Sequence, residues 1–169
     1  MTLVYLDTET TGLNIDLHHA WEVAWAVDDG PIHTALLPHT LDNATDDALR
    51  ICRYHHRVAA LQPNPDLIDV LRSDLTGATI VGANPAFDMR FLRKTFNGAE
   101  PWHYRSIDVS TGVMWLAGWD KPRGLLGATY EMRNRGHQIP MPDHTAAGDV
   151  ATVRALHRRL RFLLHRTSA

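Results

Sequence analysis

At 169 residues, 44% hydrophobic and 21% charged, the chain has the size and composition of one soluble globular domain with a real core. No apolar run approaches the ~20 residues of a membrane span, no signal peptide is visible, and a single Cys52 excludes an intrachain disulfide, so a cytoplasmic protein is expected. A net charge of −2 gives no overall attraction for nucleic acid, but residues 1–49 hold nine acids and no Lys or Arg, while residues 151–169 hold five Arg and no acid. That Arg-rich end reads either as a phosphate-facing side or as a solvated helix face.

Leu3 to Leu6 predict a first strand, and the acids Asp7 and Glu9 stand at its end. Residues i and i+2 of a strand share a face, so the two carboxylates point one way. They repel unless they share a proton or a cation. As a lone pair they read equally as a solvated strand end. Residues 20–27, AWEVAWAV, alternate with period two as a second strand. Asp28-Asp29-Gly30 is a turn, and Ile32 to Leu37 is the returning strand. Thr45-Asp46-Asp47 caps a helix expected to run to about Ala60. Asn64-Pro65 opens a helix with the apolar face Leu67, Ile68, Leu71 and Leu75, ended by Gly77. Thr79 to Gly82 is a short buried strand, and Asn84-Pro85 repeats the Asn-cap, Pro-first signal. Ser106-Ile107-Asp108 end a fifth strand that leads into a helix to about Ala117. Gly124 to Arg135 is helical, and a last helix runs from near His144 to Leu164. This order predicts an α/β fold with a mixed five-stranded sheet. An antiparallel meander comes first, then parallel strands reached through helical crossovers, with helices on both faces.

Three further positions carry chemistry. Asp88 falls early in a helix that starts where strand four ends, the edge at which open α/β sheets place their sites. The helix dipole alone would also explain an acid there. Asp149 shares the apolar stripe of Val153, Leu156, Leu160 and Leu163. A carboxylate facing the core is costly unless it is paired, protonated or metal-bound, and no Lys or Arg neighbours it on the stripe. A cation is the preferred reading. His144 precedes Asp149 by five residues, a step of about 140° on an ideal helix. For both to serve one site, His144 must lie at or before the first turn. It reads otherwise as one of 11 histidines, most of them surface residues.

Together these residues resemble the DEDD, or DnaQ-like, 3′–5′ exonuclease family. The segments that carry the resemblance are Asp7-Thr8-Glu9-Thr10-Thr11-Gly12-Leu13, Asn84-Pro85-Ala86-Phe87-Asp88 and His144-Thr145-Ala146-Ala147-Gly148-Asp149, in order and spanning residues 3–160. The third is similar to the histidine (DEDDh) subgroup, since the tyrosine subgroup would want Tyr where Thr145 stands. The resemblance implies an RNase H-like fold, a single exonuclease domain over residues 1–169, and two divalent cations, Mg²⁺ or Mn²⁺. It implies Asp7 as the bridging ligand, Glu9 and Asp149 on the cation that binds the attacking water, Asp88 toward the second, and His144 as general base. Leu13 would wedge against the terminal base, the Thr10 backbone would meet the 3′-OH, Asn84 would orient its loop, and Phe87 would stand beside the substrate. The activity implied is release of 5′-mononucleotides from the 3′ end of single-stranded DNA, in proofreading or repair. The alternatives are a 3′–5′ exoribonuclease or oligoribonuclease and a non-catalytic nucleic-acid-binding accessory subunit. A polymerase or other replication partner fits the family. Only Thr167-Ser168-Ala169 follow the last helix, however, so a stand-alone nuclease or small accessory subunit is expected over a tethered proofreader.

Overall fold

Strands β1 (Leu3–Thr10), β2 (Ala20–Val27) and β3 (His33–Leu36) form an antiparallel meander. Strands β4 (Thr79–Gly82) and β5 (Ile107–Asp108) add in parallel on the other side of β1, in the order β3-β2-β1-β4-β5. The expected mixed five-stranded sheet is therefore present. The computed structural model describes residues 1–166. Its helices are α1 (Asp46–Ile51), α2 (Tyr54–Arg57), α3 (Pro65–Leu75), α4 (Pro85–Thr95), α5 (Val109–Ala117), α6 (Gly124–Asn134) and α7 (Ala146–Arg166), with a 3₁₀ turn at Val58–Ala60.

Both faces of the central strands are buried. Leu3, Tyr5, Ala24, Ala26 and Val81 pack on Val150, Val153 and Leu156 of α7. The alternate residues Val4, Leu6, Val23, Trp25 and Ile80 pack on Leu71 and Leu75 of α3 and Phe91 and Leu92 of α4. Ala24 and Ala26 are small, so α7 can approach β2 closely. Burying each Leu, Val or Phe of these layers is worth about 1.5–3 kcal/mol. This two-sided core fixes the register and with it the side to which each odd residue of β1 points.

Four details differ from the sequence reading. β1 does not end near Leu6. It continues to Thr10 because β2 pairs with it through Asp7↔Ala24 and Glu9↔Glu22. Thr45 does cap α1, accepting from the Ala48 N–H, but the helix does not run unbroken to Ala60. Arg53 takes a left-handed conformation (φ 54, ψ 38), and the chain restarts as α2. That break lets Cys52 and Tyr54 bury against Trp21 and turns Arg53 and Arg57 toward residues 143 and 144. Asn84 is not a side-chain cap: it is left-handed (φ 63), and its N–H donates to Asp108 Oδ1 (3.1 Å). Asn64 does cap α3, accepting from Asp66 N–H at 3.1 Å. The last helix starts at Ala146, so His144 lies two residues ahead of it.

Candidate active site

β1 outruns β4. The two pair only from Leu3↔Thr79 to Tyr5↔Val81, and β4 stops at Gly82. A side chain at Gly82 would crowd Pro85 Cβ (3.1 Å) and the Leu6 carbonyl (3.3 Å), so glycine permits the turn into α4 beside β1. Past that turn, Asp88 of α4 reaches β1. Its Oδ1 accepts from the Thr8 N–H (3.0 Å) and the Thr8 hydroxyl (2.7 Å). Asp88 thus comes to the strand from the helix layer on one face of the sheet.

From the other face come Asp7, Glu9 and Asp149. Oxygens from these three lie within 4.8 Å of one another. Asp149 is buried on the packing stripe of α7, as expected, and its Oδ1 accepts from the Asp143 N–H (3.1 Å). Burial is the largest influence on all four acids. It raises Asp7 well above the usual carboxylate range, reinforced by repulsion from Asp88, Asp149 and Glu9. It pushes Glu9 up to about 9, helped by Asp149 and Glu22 and opposed by Arg57. It raises Asp88 to about 7 against the hydrogen bonds from Thr8, and it raises Asp149 as well. Carboxylates crowded in this way take up protons or a cation. The donor set is hard oxygen only, so the residues present fit a divalent cation.

His144 is exposed and left-handed (φ 58), and it acts on the charge of Asp149. The loop is built by its neighbours. Asp143 Oδ1 accepts from the Thr145 N–H (3.0 Å) and hydroxyl (2.8 Å), and Thr145 Oγ1 accepts from the Gly148 N–H (2.9 Å). A Cβ at Gly148 would stand 2.2 Å from Asp143 Oδ1, so a larger residue here would displace the Asp143 side chain from its bonds to Thr145. Because His144 precedes α7, the 140° divergence expected on a continuous helix does not arise.

The remaining candidates take varied positions. Thr10 closes β1, and its hydroxyl donates to the Gly12 carbonyl (2.9 Å). Leu13 is 81% exposed on the loop after β1. Lys94 of α4 pins that loop by donating to the Ile15 (3.0 Å) and His18 (2.8 Å) carbonyls. Phe87 is partly buried, with its ring 4.9 Å from that of Phe91. Asn84 is exposed and bonded through its backbone to Asp108.

Sequence reasoning missed Glu22, Arg57 and Thr8. Glu22 is 2% exposed, pairs with Glu9 across the strands, and forms a two-pronged ion pair with Arg57. Its signal was an acid inside an otherwise apolar strand. Arg57 lay in what read as an ordinary helix, and nothing marked it. Three of the C-terminal arginines, Arg154, Arg158 and Arg159, have partners away from the acids. Arg154 donates to the Gly30 carbonyl (2.7 Å), and Arg158 pairs with Asp29 at the turn that adjoins Leu3, the opposite end of β1 from Glu9. Arg159 stacks on Phe162, 4.8 Å from its ring centroid.

Among solved structures, the chain superposes on E. coli exonuclease I in complex with a dT13 oligonucleotide at a TM-score of 0.73, over 98% of this chain and 42% of that one, with 18% identity. The chain shares the fold of that exonuclease. Exonuclease X, in complex with 5′-overhanging duplex DNA, matches at 0.64 with 22% identity, covering 95% of this chain and 92% of that one. A moderately thermophilic exonuclease I from Methylocaldum szegediense matches at 0.68 with 19% identity, over 97% and 43%. The chain therefore spans less than half the length of the exonuclease I chains and nearly all of exonuclease X. No family model and no curated protein matches the sequence. Among the described residues, no helix is long and apolar enough to cross a membrane.

Proposed function

We propose that the protein is a divalent-cation-dependent 3′–5′ exonuclease that releases 5′-mononucleotides from single-stranded DNA. The observation that carries this reading is the approach of Asp7, Glu9 and Asp149 to within 4.8 Å, with Asp88 delivered to the same strand by Thr8. Among the described residues, no Lys or Arg forms an ion pair with these three acids, unlike Glu22 beside them. DNA as the substrate class is supported by the DNA bound in the exonuclease I and exonuclease X structures. The 92% coverage of exonuclease X supports one exonuclease domain.

Asp7, Glu9 and Asp149 would hold one Mg²⁺ or Mn²⁺, and Asp7 with Asp88 a second. Two such cations supply Lewis-acid charge toward the attacking water and the leaving oxygen. His144 takes a proton from the attacking water, a task suited to an imidazole that stands exposed beside Asp149. Leu13, held outward on its pinned loop, stacks on the terminal base. The backbone at Thr10 meets the 3′-OH, Phe87 backs the substrate, and Asn84 orients the turn before α4.

The test is digestion of matched single-stranded DNA and RNA oligomers, 5′-labelled, with Mg²⁺, Mn²⁺ or EDTA. Wild type and Asp7→Ala are run side by side. A metal-dependent ladder shrinking from the 3′ end, absent in Asp7→Ala, is expected, and faster on DNA. Faster loss of RNA would move the reading to an exoribonuclease. No ladder on either would overturn it.

A further inference from the structure

We propose that Arg57, anchored by Glu22, is a positioning residue that sets the backbone of His144 and so aims its ring. This rests on the role given above to His144. Arg57 lies on α2, far in sequence from both partners. Its Nη2 grips both oxygens of Glu22, while its Nη1 donates to the His144 carbonyl (3.1 Å) and the Cys52 carbonyl (3.0 Å). Its guanidinium also lies 5.3 Å from the centroid of Trp21. One planar fork therefore joins the middle of the sheet to the loop ahead of α7.

Three observations make this more than a structural ion pair. First, the loop it holds carries a non-glycine residue at φ 58, a conformation that persists only when its surroundings impose it. Second, Arg53 repeats the action one residue earlier, donating to the Asp143 carbonyl (3.2 Å). Arg53 and Arg57 thus grip consecutive carbonyls, and the left-handed kink at Arg53 gives both that aim. Third, Asp143 N–H is bonded to Asp149, so the same two residues connect the arginines to the acid cluster. The ring of His144 stays exposed while its main chain is fixed from two sides. A side chain that must meet a transient water needs a fixed base and a free tip. Loss of about 1 Å of alignment can cost ~10²-fold in rate.

The test uses Arg57→Lys and Arg57→Gln, each alone and in a His144→Ala background. Lysine keeps a charge beside Glu22 and so protects the fold, but its single ammonium lacks the planar fork whose two separate nitrogens reach Glu22 and the His144 carbonyl at once. Arg57→Lys is expected to lower kcat about 10- to 100-fold with KM changed less than about twofold. In the His144→Ala background the same change should cost under twofold, because the positioned group is gone. Amide exchange at residues 143–146 of the cation-free protein should quicken at least tenfold in both Arg57 variants. Equal losses in both backgrounds, or full activity in Arg57→Lys, would overturn the positioning role. Should wild type show no nuclease activity, the exonuclease reading fails separately. Unchanged exchange at 143–146 would then still overturn the clamp.

Discussion

Glu9 and Glu22 face each other across β1 and β2, yet they are treated in opposite ways. Glu22 receives a guanidinium from its own chain, which opposes, without cancelling, the burial that raises its pKa. Glu9 shares its surroundings with Asp7 and Asp149 and is pushed up to about 9. The same residue type, on two neighbouring strands, is stable in one case as a closed ion pair and in the other only with protons or a cation. Buried carboxylates with an internal counter-charge are structural. Those without one could take an external cation, and the proposed site rests on that difference.

The largest effect expected is on activity. Asp7→Ala removes a ligand that both cations would share, and a loss of several kcal/mol of transition-state stabilisation corresponds to about 10³-fold or more in kcat/KM. Circular dichroism should show the fold intact. Next, Glu22→Gln breaks the closed pair and leaves the partly buried Arg57 without its partner, which should cost about 3 kcal/mol in urea unfolding. Glu9→Gln in cation-free protein should be neutral or stabilising near neutral pH, because it removes a group that folding forces to take up a proton. If both substitutions cost the same, the contrast between the two glutamates is wrong.

Adding Mn²⁺ at about 100 times its Kd should stabilise wild type by ~2.7 kcal/mol, a rise in Tm of several degrees, reversed by EDTA and abolished in Asp7→Ala. The pH trend sharpens this. Glu9 has its folded pKa raised from 4.5 to about 9. Its contribution to stability is therefore full below about pH 4.5 and is lost as pH rises toward 9. Cation-free protein should thus lose stability across that window. Because the cation displaces the same protons, its stabilising effect should grow over the same range. A cation effect independent of pH would count against these acids as ligands. The smallest effect is at the far end of the sheet: Arg158→Gln should cost at most about 0.5 kcal/mol, as exposed ion pairs do. It should leave the salt dependence of DNA binding unchanged, since Arg158 is matched by Asp29.

Much of this was legible in the chain. The period-two pattern of residues 20–27, the caps at Thr45 and Asn64, and the apolar stripe of α7 are local signals, and the elements they predict are present. Asp7 and Glu9 share a face because a strand repeats every two residues, and Asp149 is buried because a helix repeats every 3.6. These rules hold before any tertiary contact forms. The neighbourhood of each group was not legible. That Asp88 accepts from Thr8 depends on β4 stopping short beside β1. That the helix after Thr45 breaks at Arg53 depends on what its side chains reach. That Arg57 holds both Glu22 and the His144 carbonyl joins positions 22, 57 and 144. Periodicity reports which way a side chain points. Only the packed chain decides which charge it meets, because counter-charges come from elements distant in sequence, and burial, which sets their strength, is a property of the whole fold.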